Sequence, residues 1–172
     1  MALADKFGAS YNEVKNKIKI KTITINYDDK TFDLKVRILL KREMEELIEE
    51  IANPPKERIE ELYSKFSAPI QKSIDDGGED YIKALNAEKP VLIILDNDMV
   101  LDGNSIRHVS TMTAAWELKV ERYFGLLQSD IGIPVNETFA QISDELPESL
   151  IKVIMDEIEG AIKPSYKDVK KN

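Results

Sequence analysis

The chain has no cysteine among its 172 residues and a single histidine, His108. Disulfides and thiolate metal sites are thereby excluded, the redox compartment leaves no mark, and a histidine-rich metal centre cannot be assembled. Positive charge is also short: 24 Lys and Arg stand against 32 Asp and Glu, a net charge of −8. Neutralising a phosphate backbone needs a basic surface, so a general nucleic-acid binder is not expected. No apolar run is long enough to cross a bilayer. The opening stretch 1–6 is short and carries Asp5, so neither a signal peptide nor a membrane span is expected to begin there, and the default location is the cytosol. Glycine and proline are scarce, seven of each, and no Gly-rich phosphate loop occurs. What remains, 42% hydrophobic and 33% charged, is an ordinary globular composition with enough chain to bury a core.

Helical periodicity is what the chain does have. The longest uninterrupted pattern covers 104–128, with Ile106, Val109, Thr113, Trp116, Val120, Tyr123 and Leu127 in steps of three and four, and Met112 and Phe124 widening the stripe. This spacing predicts one long α-helix with those side chains on one face. Trp116, the only tryptophan, lies at mid-stripe. Burying it would bring on the order of 200 Å² of apolar surface into a core, so the helix is expected at the centre of packing.

Taken in order, Ser10 and Glu13 make a capping-box pattern that predicts a short helix up to Lys17. The β-branched run 18–27 then alternates, but its apolar set changes phase from Ile18 and Ile20 to Ile23, Ile25 and Tyr27, which predicts a bulge or a strand covered on both faces. A turn at Asp28, Asp29 and Lys30 leads into Phe32, Leu34, Val36 and Ile38, so 18–39 reads as a β-hairpin. An acidic amphipathic helix over 41–52 turns Met44, Leu47, Ile48 and Ile51 inward until Asn53-Pro54-Pro55 stops it. A helix with Ile59, Leu62, Tyr63 and Phe66 inward follows, interrupted by Pro69, and 73–80 with Gly77-Gly78 reads as a mobile loop before a weak helix over 81–86. A second hairpin pairs 91–95 with 99–101 across Asp96-Asn97-Asp98. After the long helix come a loop over 131–135, a short helix over 138–146, and a last helix from Pro147 with Leu150, Ile151, Ile154, Ile158 and Ile162 inward. The expected fold is mainly α-helical α+β: two short β-hairpins packed against about five or six helices, as a single domain over 1–163 with a flexible basic tail at 164–172.

Chemistry-bearing patterns are few. The strand ending in Asp96-Asn97-Asp98 resembles the first motif of haloacid-dehalogenase-like phosphatases, in which the first Asp attacks phosphorus, the second is acid/base and both help bind Mg²⁺. That motif ordinarily opens a doubly wound domain, whereas several elements precede it here and the later Asp pair and Lys are not recognisable after Gly103. Asp-Asn-Asp is also good turn material, the plainer reading. His108 reads as a surface side chain, and Asn136-Glu137-Thr138 matches a glycosylation acceptor without a secretory context.

The opening Met1-Ala-Leu-Ala-Asp-Lys, the helix with Ser10-Tyr11, the stop at Asn53-Pro54-Pro55, the strand running into Asp102-Gly103-Asn104-Ser105-Ile106-Arg107 and the closing Ile162-Lys-Pro-Ser-Tyr166-Lys together resemble tail assembly chaperones of long-tailed, siphovirus-type bacteriophages, over most of the chain. The resemblance implies a non-catalytic protein without a cofactor. It implies binding to the tape measure protein and tail tube subunits in the host cytoplasm, absence from the mature virion, and in many members a longer form made by ribosomal frameshifting. Helix-in-groove binding of such clients uses anchors three and four apart, which singles out Met44, Leu47, Ile48 and Ile51 on one helix and Met112, Trp116 and Tyr123 on the other. Two alternatives stay open: a structural tail completion or adaptor protein, and a Mg²⁺-dependent phosphatase using Asp96 and Asp98. A homo-oligomer is equally open.

Overall fold

The computed structural model describes residues 3–163. In chain order the elements are α1 (Leu3–Ile18), β1 (Ile20–Tyr27), β2 (Lys30–Arg37), α2 (Lys41–Ala52), α3 (Lys56–Leu85), β3 (Leu92–Ile94), β4 (Met99–Leu101), β5 (Asn104–Ser105), α4 (Ile106–Phe124), β6 (Leu127–Gln128), α5 (Phe139–Glu145) and α6 (Glu148–Ile162). The architecture is α+β and mainly helical, with two small antiparallel sheets ordered β1-β2-β6 and β3-β4-β5. The expected basic tail at 164–172 lies outside the described residues. Where the sequence reading takes 1–163 as one domain, the contacts group the chain into two compact units, 1–48 with 119–172, and 49–118.

The first unit is built on the β1-β2 hairpin. Its register runs unbroken from Ile20↔Arg37 to Tyr27↔Lys30, so the expected bulge is absent. The change of apolar phase has a simpler cause. Ile18 belongs to α1, Ile20 sits exposed on the outer face, and only Ile23 and Ile25 are buried. Asp28 and Asp29 both take left-handed conformations, φ 49 and 59, as a two-residue primed turn demands. On the inner side α6 packs on β1 and buries Ile151, Ile154, Met155, Ile158 and Ile162 along one face. Each such side chain removed from water contributes about 1.5–3 kcal/mol, so this layer is the main stabiliser of the unit. Thr138 and Gln141 form a reciprocal capping box that starts α5.

The second unit holds α3, the small β3-β4-β5 sheet and most of α4. α3 continues through the stretch expected as a loop: 73–77 is helical, and only Gly78 leaves the helical region, with φ 61, before helix resumes to Leu85. A helical glycine costs about 1 kcal/mol, which bonds such as Gln71 to Asp75 and Ser73 to the Pro69 carbonyl offset in part. Pro69 also stays inside the helix. In the sheet, Leu95 N–H donates to the Asp98 carbonyl at 2.9 Å to close the second hairpin, and the left-handed pair Asp102-Gly103 turns β4 into β5. The Asn86 side chain blunts the outer edge of β3. Its amide donates to the Leu92 carbonyl and its oxygen accepts from the Leu92 and Val91 N–H groups, each at 2.8 Å, as a partner strand would.

α4 is shorter than its apolar stripe. Asn104 and Ser105 are paired as β5, and Leu127 is paired with Val36 as a third strand on β2. Gly125 and Leu126 end the helix through N–H bonds to the Glu121 and Tyr123 carbonyls, and the Leu126 carbonyl then accepts from Arg37 N–H at 2.8 Å. Nor is Trp116 buried in the core, as the stripe predicts. In the first four turns the buried residues are Ile106, Ser110, Ala114 and Leu118, a row rotated away from the predicted stripe, while Trp116 is half-buried. Small residues at Ser110 and Ala114 permit close approach on that row, and the fully buried Ser110 hydroxyl is satisfied by the Ile106 carbonyl at 2.7 Å.

Candidate partner-binding surfaces

The N-terminus of α4 is organised by Asp98. Its Oδ1 accepts from Met99 N–H at 2.8 Å and Arg107 N–H at 2.9 Å, and its Oδ2 from the Ser105 hydroxyl at 2.5 Å. Ser105 Oγ in turn accepts from His108 N–H at 3.0 Å. Burial pushes the Asp98 carboxyl up, but the Ser105, Arg107 and Met99 donors outweigh it and hold the group below the usual carboxylate range. A negative charge at a helix N-terminus is also favoured by the helix dipole. Both carboxylate oxygens are therefore engaged in capping, and the chemistry the geometry supports at Asp98 is structural. Asp96, two residues away, is exposed, as is His108. Among the described residues no three His, Asp or Glu side chains cluster as metal ligands would.

Arg107 and Arg58 tie α4 to α3. Arg107 lies 4.3 Å above the Tyr63 ring, donates to the Asn97 carbonyl at 2.7 Å and pairs with Glu60 at 2.5 Å. Arg58 holds Glu117 through two bonds of 2.7 and 3.0 Å. These ties anchor the buried face and fix which face of α4 points outward. On that outward face Val109 and Met112 are 40% and 58% exposed and Trp116 is half-buried, at spacings of three and four. They form a largely exposed apolar stripe on the helix. Tyr123, on the same stripe further along, is buried, and its hydroxyl is pushed up by burial with Lys119 5.1 Å from the ring.

The acidic helix α2 divides its predicted residues in the same way. Leu47 is buried, Met44 and Ile51 are half-buried, and Ile48 is 59% exposed. Glu43 fixes the helix start: Oε2 accepts from Leu40 N–H at 2.7 Å and Oε1 from Arg37 at 3.1 Å, and these bonds, the first above all, hold its carboxyl low. Met44 lines a half-open groove of about 480 Å³ with Ile38, Leu39 and Ile162, and Lys21, Lys41, Glu45 and Lys163 stand around it. So the structure brings Met112 and Trp116 onto one open face, puts Met44 in a groove, and withdraws Leu47 and Tyr123 into the interior.

One exposed apolar feature has no counterpart in the sequence reading. The segment after β6 folds back, with Ser129 N–H bonded to the Ile133 carbonyl and a bridge between Gln128 and Pro134. It lifts Ile131, 82% exposed, and Ile133 to its tip. The signal was present as two isoleucines flanking Gly132, a turn residue, outside any periodic stripe.

No protein-family model matches the chain, and no curated protein or solved structure is significantly similar to it. Among the described residues no helix is long and apolar enough to cross a membrane.

Proposed function

We propose that this protein is a non-catalytic assembly chaperone of the phage-tail type, which holds the tape measure protein and tail tube subunits in the host cytoplasm during tail assembly. The observation that carries the reading is the largely exposed stripe Val109, Met112 and Trp116 on α4. Such a stripe is the footprint of a helical client: anchors at i, i+3 and i+7 on a helix meet a complementary apolar face. Leaving an aliphatic or thioether side chain in water forgoes about 1.5–3 kcal/mol, which a client recovers on docking. The net charge of −8 supports a role in keeping an apolar client in solution.

The test is co-expression with the tape measure protein of the same tail gene cluster, followed by mass spectrometry of purified virions. Soluble co-purification, lost in Met112→Asp and absent from the virion, is the expected outcome. Presence in the virion with no co-purification sinks the chaperone reading and favours a structural tail component.

A further inference from the structure

We propose that the groove bounded by the β2-α2 connection, α2 and the end of α6 docks an acidic, apolar segment of a partner protein. The inference rests on the reading of this protein as one that binds other proteins, and adds a second docking surface with its own chemistry. The groove is half-open and about 480 Å³, with Ile38, Leu39, Met44 and Ile162 as its apolar lining. Its charged lining is the reverse of the molecule as a whole: Lys21, Lys41 and Lys163 against Glu45, in a chain of net charge −8.

Each of these ammonium groups has donors to spare. Lys21 Nζ gives one bond to the Ala161 carbonyl at 3.3 Å, and Lys163 pairs with Glu159. Lys41 pairs with Glu45 at 3.8 Å, its one ion pair among the described residues, with 90% of its side chain exposed. An ammonium carries three N–H donors, so one existing partner leaves capacity for a carboxylate from outside. An apolar lining with a ring of cations therefore selects aliphatic or aromatic side chains flanked by Asp or Glu, and repels a basic segment. The half-open shape suits a length of chain laid along it, whereas small-molecule sites enclose most of their ligand.

The probes are two labelled peptides with the same leucine stripe, one flanked by Glu and one by Lys, titrated against the full chain by fluorescence anisotropy. The Glu-flanked peptide is expected to bind, and Met44→Glu to weaken it by about tenfold or more, the size of a modest hot-spot loss. The pair Lys21→Glu with Lys41→Glu should weaken it similarly, while Lys65→Glu with Lys72→Glu, the same change in net charge on α3, should not. Absence of binding by the Glu-flanked peptide overturns the proposal. So does an equal effect of the two lysine pairs, indifference to Met44→Glu, or decanoate occupying the groove where the peptide does not. Far-UV circular dichroism of each variant separates lost binding from lost fold. Tape measure co-purification that persists in Met44→Glu while peptide binding fails in the unmodified chain refutes this groove alone, whereas failed co-purification of the unmodified chain refutes the chaperone reading.

Discussion

Replacing Asp98 by alanine removes the acceptor of three hydrogen bonds at the start of α4, from Met99 N–H, Arg107 N–H and the Ser105 hydroxyl. A capping side chain contributes about 1 kcal/mol, its charge near the helix dipole about 0.3–1 more, and donors left unpaired in a part-buried site cost about 1–3. These terms overlap, so the expected loss is about 2–4 kcal/mol, against about 1–2 for Asp98→Asn, which keeps one oxygen for the two backbone donors. Asp96→Ala, at an exposed position, should stay within about 0.5 kcal/mol. Urea denaturation followed by far-UV circular dichroism reads all three. The pH dependence is a second check. The folded Asp98 carboxyl is held below its ordinary range, so its contribution is complete above the unfolded pKa and is lost as pH falls through the folded one. The gap between the native chain and Asp98→Asn should therefore be full above about pH 5 and narrow as pH falls below the unfolded carboxyl value of about 3.9. A cost for Asp98→Ala below about 0.5 kcal/mol, or a gap indifferent to pH, would refute the capping account.

Ile158→Ala, at a fully buried position on the α6 face that covers β1, should cost about 2–5 kcal/mol in the same urea assay. Asp29→Gly relieves a left-handed side-chain residue, φ 59, and should gain about 0.4–1 kcal/mol in the urea assay, a loss of stability refuting the strain account. Asn86→Ala removes three bonds that blunt the β3 edge; a loss of about 1–3 kcal/mol is expected, with concentration-dependent self-association visible in light scattering. Met112→Ser, on the open face of α4, should leave stability within about 0.5 kcal/mol while weakening client capture, and a large stability loss would mean that the stripe is covered in solution.

Much of the fold was legible because its signals are local. Alternation at Phe32, Leu34 and Val36, the Asp28-Asp29 turn, and the isoleucine stripe from Ile151 to Ile162 each specify their element within a few residues. The candidate surfaces were legible only in part. Periodicity placed Met112 and Trp116 on one face of a helix, but the same stripe holds Tyr123, which is buried. Met44, Leu47, Ile48 and Ile51 likewise share a stripe whose members range from buried to largely exposed. A helical repeat says which side chains lie together and is silent on what covers them.

By itself, then, the sequence determined most of the helical and extended segments, the acidic charge, and the absence of thiol chemistry, all of which follow from local propensity or simple composition. The tertiary structure alone decided the rest. Asn104-Ser105 and Leu127-Gln128 are strands only because β4 and β2 offer an edge, and two residues carry no strand signal of their own. Likewise, α4 turns Ile106, Ser110, Ala114 and Leu118 inward because the row with small Ser110 and Ala114 allows close packing and the Arg58 and Arg107 ties to α3 hold it there. That rotation leaves Val109 and Met112 in water, since burial is a property of the neighbours a residue meets and not of the residue alone.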